Sequence, residues 1–171
     1  YGHTSHGSQI ISGMDALESW SSTLYAWNNG GTGGALDLRN DMGGYSSSYG
    51  AYDLNQPNRT AWIQATRDYL SAHPDINVII WSWCSGADGT EEEIQQYLDS
   101  MNGLEAEYPQ VKFVYMTGHL NGTGANGNLN IRNNQIRAYC LANNKILFDF
   151  ADIESYDPDG NEFMTLNATE N

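Results

Sequence analysis

Asn77-Val78-Ile79-Ile80-Trp81-Ser82-Trp83 decides the fold class. The apolar run from Val78 to Trp81, rich in β-branched side chains, predicts a strand. Its lack of alternation predicts burial on both faces, as in the middle of a parallel sheet. Two further runs read the same way, Val111 to Met116 and Lys145 to Phe150. Helical spacing lies between them. Thr90 with Glu93 three residues on forms the signature of a capping box, and Glu91 and Glu92 suit the positive end of a helix dipole. Ile94, Tyr97, Leu98 and Met101 then keep the helical period. A second helix is expected from Asn130 to Asn143, with Ile136, Tyr139 and Cys140 inward.

Upstream of the deciding strand, Thr60 to Ala72 reads as a helix with Trp62, Ile63, Thr66, Tyr69 and Leu70 inward. It stops at His73-Pro74, because proline disfavours a helical residue before it. Earlier still, Ile10, Met14, Leu17, Trp20 and Leu24 recur at three- and four-residue steps and predict a helix from Gln9 to Ala26. The cluster Asn28 to Gly34 breaks it. A short strand is expected at Ala35 to Leu38, followed by a long polar loop from Asp41 to Asn55. Strands alternating with helices predict an α/β fold, a three-layer αβα doubly wound parallel sheet with helices on both faces.

Composition narrows the function. The chain has 171 residues, which suits one domain. Acidic residues outnumber basic ones 21 to 7, for a formal charge of -14. That field repels a nucleic acid and an anionic membrane surface alike. The acidic balance, the abundance of Gly, Asn and Ser, and 12% aromatics point to a secreted, extracellular protein. Cys84 and Cys140 could form one bond or remain as two thiols. Three triplets, at Asn58, Asn121 and Asn167, match the acceptor pattern of a glycoprotein.

In a doubly wound sheet, a site forms at the carboxyl ends of the strands. Four segments are expected there: Gly2 to Ser8, the Gly-rich loop near Asp41, Trp83 to Asp88, and Thr117-Gly118-His119. Three of the four histidines lie on this edge; His73, at a helix end, reads as a surface residue. A Ser in a turn before a helix has an exposed Oγ, beside amides that can hold an oxyanion. Ser5 is the better nucleophile and Ser8 the better helix cap, although either could merely cap. Such a serine needs a base. His119 is the candidate, with His3, His6 and Cys84 in support.

Gly2-His3-Thr4-Ser5-His6-Gly7 resembles the first block of a divergent branch of the SGNH (GDSL-like) hydrolases, in which His-x-Ser replaces Gly-Asp-Ser. Val78 to Cys84, Val114 to His119 and Asp149 to Glu154 are similar to an uncharacterised extracellular group within that branch. The resemblance implies a flavodoxin-like sheet and a secreted ester hydrolase that acts on a small ester and requires no cofactor; a carbohydrate substrate, such as an acylated polysaccharide, is suggested only by the abundant Trp and Tyr, which stack on sugar faces but also fill cores. It also implies a single domain over residues 1–171 that lacks its first strand and C-terminal helix, or self-association in which another chain supplies the strand. The pattern departs from the family at several points. Its oxyanion glycine falls in the Gly33 to Gly44 region without a single choice. Ser82 to Ser85 occupy the place of the Gly-x-Asn-Asp block, and the chain contains no Asp-x-x-His. These departures support the rival, a non-catalytic extracellular binding or assembly module.

Two metal readings stand beside these. His3, His6, His119 and Cys84 offer ligands for Zn or Cu. Asp157, Asp159 and Asn161 place oxygens at alternate positions, as at the start of a calcium loop. Glu162 stands where such a loop has glycine, and Ala168 where it has a bidentate carboxylate.

Overall fold

The structure is a computed structural model that describes residues 1–40, 42 and 48–162. Asp41 and residues 43–47, which hold most of the expected Gly-rich loop, lie outside the described residues, as do residues 163–171 with the Asn167 triplet. The chain is mixed α/β. In order it forms α1 (Ser5–Trp20), β1 (Trp27–Asn28), a 3-10 turn (Thr32–Gly34), β2 (Leu36–Asp37), α2 (Ala61–Ala72), β3 (Val78–Ile80), α3 (Glu91–Glu107), β4 (Lys112–Met116), α4 (Asn128–Ala142), β5 (Ile146–Phe148) and α5 (Phe150–Ser155).

The main sheet is parallel, in the order β3-β4-β5. Ile79 pairs with Phe113, and Tyr115 with Leu147. Gly2 extends it beyond β3 through a parallel bridge to Trp81. Its N–H donates to Ile80 O at 3.0 Å, and its carbonyl accepts Ser82 N–H at 2.9 Å. A side chain at Gly2 would overlap the Trp81 ring, so only glycine lets the chain approach there. β1 and β2 form a separate parallel pair, Trp27 with Leu36.

One face of the sheet holds the core. Ile79, Trp81, Phe113 and Tyr115 are buried with the inner sides of α2, α3 and α4. The Trp81 indole N–H donates to Thr66 Oγ1 at 2.8 Å, tying β3 to α2. Tyr97 of α3 accepts Met116 N–H at 3.0 Å, and its ring meets those of Trp62, Trp83 and Tyr115. The predicted inward residues of α2 and α3 are buried, apart from half-buried Ile63.

The alternate side chains correct the expectation of a strand buried on both faces. Val78 is 48% exposed and Ile146 50%, while Ile80 and Val114 are half-buried. The pleat sends successive side chains to opposite faces, and the helices that pack on β3 and β4 gather on one of them.

The first helix also differs. It begins at Ser5, four residues before the expected start at Gln9, because Thr4 rather than Ser8 is the N-cap. It ends at Trp20, where Ser21-Ser22-Thr23 offers poor helix formers. Its apolar stripe is not core: Ile10 and Met14 are half-buried, whereas Leu17 and Trp20 are exposed. Gly7 is its buried residue. His73 is half-buried rather than superficial. Arg39 donates to its Nδ1 at 3.3 Å, and its ring lies 4.4 Å from that of Tyr69.

Candidate functional site

The carboxyl ends of β3 and β4 and the start of α1 converge. The contact that joins them is a pair of stacked imidazoles. His6 and His119 have centroids 3.6 Å apart and planes 7° from parallel.

His119 is held by what surrounds it in sequence. Gly118 N–H donates to Asn133 Oδ1 at 2.9 Å, and Asn133 Nδ2 donates back to Gly118 O at 3.3 Å. Leu120 N–H donates to Glu154 Oε2 at 2.7 Å. Thr117 Oγ1 donates to Asp149 Oδ1 at 3.0 Å. Arg137 grips both oxygens of Asp149, at 2.6 and 2.8 Å. Burial pushes the Asp149 carboxyl up, but the Arg137 hydrogen bonds and charge bring it down further, to a net value below the usual range. A side chain at Gly118 would overlap Ala87 Cβ, so the backbone needs glycine for this close approach. The ring itself spans two carbonyls: Nε2 lies 2.8 Å from Cys84 O and Nδ1 2.7 Å from Leu120 O. A neutral imidazole can donate to only one of these. His119 therefore acts as a donor in this arrangement and becomes a proton acceptor only by releasing one carbonyl.

Ser5 is the first residue of α1 and is exposed. Among the described residues its hydroxyl has no hydrogen-bond partner. The serine that does meet a histidine is Ser8, whose Oγ lies 3.4 Å from His3 Nδ1 and 3.5 Å from Thr4 O. His3 is buried against Tyr1, centroids 4.4 Å apart. Its Nε2 has no hydrogen-bond partner. Desolvation holds its pKa below the ordinary 6.5, opposed by the Thr4 carbonyl and reinforced by the terminal ammonium. The structure thus brings His6 and His119 together and pairs His3 with Ser8. Ser5 stands one residue from the stack.

Cys84 and Cys140 are both free thiols. Cys84 is half-buried at the rim, while burial pushes the Cys140 thiol up to about 11. A small cavity of about 140 Å³ opens beside His119, lined by Trp83, Ala87 and Leu129 with Ser85, Asp88 and Asn121. The Trp83 indole is fixed by a 3.0 Å bond to Met116 O.

The metal readings meet a different geometry. Among the described residues, no three His, Cys, Asp or Glu side chains gather as metal ligands. His6 and His119 present ring faces to each other rather than converging lone pairs. Asp157 turns both oxygens onto its own loop, accepting the Asp159 and Asn161 amides at 2.9 and 2.8 Å and Asn161 Nδ2 at 2.8 Å. Ala168 lies outside the described residues.

Two residues escaped the sequence reading, Asp53 and Asn133, and Glu154, which the sequence offers only as a calcium ligand, instead accepts Leu120 N–H. Asn133 left a signal, since a mid-helix Asn is unfavourable unless its amide has work elsewhere. No family model, no curated protein and no solved structure matches the chain. Among the described residues, no helix is long and apolar enough to cross a membrane.

Proposed function

We propose that this rim is the active site of a secreted serine ester hydrolase, an SGNH-like enzyme on a doubly wound sheet, with acylated polysaccharide as its substrate class. The His6–His119 stack carries the reading, because it sets the Ser5 turn against the end of β4. Ser5 Oγ attacks the acyl carbon. His119 releases Cys84 O, takes the hydroxyl proton on Nε2 and delivers it to the departing alkoxide. The first amides of α1, which the Thr4 side chain does not cap, hold the oxyanion. Water then attacks the acyl-serine, giving a proton to the same imidazole, which passes it to Ser5 Oγ as the carboxylic acid leaves. The cavity beside His119 has room for about four or five water-sized groups, which supports a short acyl chain.

The test is a fluorophosphonate on the intact chain, with the modified residue located by peptide mass. Modification of Ser5, lost in Ser5→Ala together with hydrolysis of p-nitrophenyl acetate, is expected. An inert Ser5 overturns the reading.

A second reading, a non-catalytic extracellular binding module, is favoured by one observation: both His119 nitrogens already face carbonyl oxygens. The same reagent separates the two.

A further inference from the structure

Asp53 is fully buried. An ionised carboxylate out of water is costly unless it is well bonded. Among the described residues it has no basic partner. Its oxygens are satisfied by three donors instead. Oδ1 accepts the Asn55 and Gln56 amides at 2.7 and 2.8 Å, and Oδ2 accepts Thr4 Oγ1 at 2.7 Å. The segment carrying it is pinned to the same rim, with Leu54 N–H on Ser82 O at 3.1 Å and Asn55 Nδ2 on Ser85 Oγ at 3.2 Å.

Thr4 is the N-cap of α1, yet its hydroxyl does not cap the helix. A threonine in this position ordinarily accepts an amide of the first turn. Here the hydroxyl is drawn away to Asp53. One consequence follows at Ser5, the next residue: the peptide that carries it is fixed from the preceding side chain.

We infer that Asp53 is a positioning residue for Ser5, acting through the Thr4 hydroxyl; the inference rests on the hydrolase reading. The buried acid holds the Thr4 hydroxyl out of the capping position, and with it the peptide that enters Ser5.

The experiment is the rate of fluorophosphonate modification at Ser5 per folded molecule, with thermal melts alongside. Thr4→Ser keeps the donor and is expected to react as the unsubstituted protein does. Thr4→Val and Asp53→Asn are expected to react about tenfold more slowly or worse, as misplacement of a reacting group entails. The double variant should be no slower than the slower single, because both remove one contact. Should Asp53→Asn fail to fold, Thr4→Val, which leaves the acid in place, carries the test. Unchanged rates with lowered melting would show a merely structural contact and overturn the inference while leaving the hydrolase reading intact. An unreactive Ser5 in the unsubstituted protein would overturn both.

Discussion

His6 lies flat on His119, with ring centroids 3.6 Å apart, and His119 spans the carbonyls of Cys84 and Leu120. The stack is thus anchored from below by backbone and from above by the first turn of α1. A phenylalanine at position 119 keeps the aromatic face and removes both nitrogens. On the proposed mechanism, His119→Phe should lower Ser5 reactivity by about a hundredfold or more, the usual worth of a general base, with little loss of fold. Wild-type reactivity in this variant would reduce His119 to a platform. His119→Ala, which removes the stack as well, is expected to lower the melting temperature further.

Gly7 is the tightest point of the turn. A methyl group built there overlaps His3 Cβ and Ser82 Oγ and comes within 2.7 Å of Tyr1 Oη. Tyr1 is already fixed, since its hydroxyl donates to Gly7 O at 3.1 Å. Gly7→Ala should therefore cost about 2 kcal/mol by overpacking, a fall in Tm of roughly 4–8 °C for a chain of this size. Calorimetry checks this. Gly13 on the same helix meets nothing within 4 Å, so Gly13→Ala serves as the unstrained control.

His3 predicts a pH dependence of stability. Its folded pKa is lowered by burial, so the unfolded chain binds this proton first as pH falls below about 6.5. The stabilisation is complete above that value and is lost progressively as pH falls towards the folded pKa. Urea unfolding at about pH 7.5 and about pH 5.5 should show the loss, and a His3→Phe variant should show a flatter profile. A slope unchanged by that substitution would assign the effect to another group.

Much of this fold was legible because its signals are local. The capping box at Thr90 is present with both bonds, Glu93 N–H to Thr90 Oγ1 at 3.2 Å and Thr90 N–H to Glu93 Oε2 at 2.8 Å. α2 stops at His73, immediately before Pro74. The start of α1 was not legible, because its boundary is set by packing around Gly7 and not by the apolar period. The expected strand from Lys145 to Phe150 meets α5 only at Phe150, and no helix is expected beyond it, although Asp149 announces one by capping the Asp152 amide at 3.2 Å. Asp53 left no trace at all. It meets Thr4 across 49 positions of sequence, and nothing in Tyr52-Asp53-Leu54-Asn55 separates a buried acid from an ordinary turn residue.

The two thiols differ in a way that supplies a tool. Cys140 is buried in α4, with a pKa raised to about 11. Cys84 sits at the rim, and its own carbonyl receives His119. A maleimide fluorophore added to the folded protein should therefore attach at a single position. Its emission would then follow the neighbourhood of His119 during ligand binding, with no engineered cysteine required.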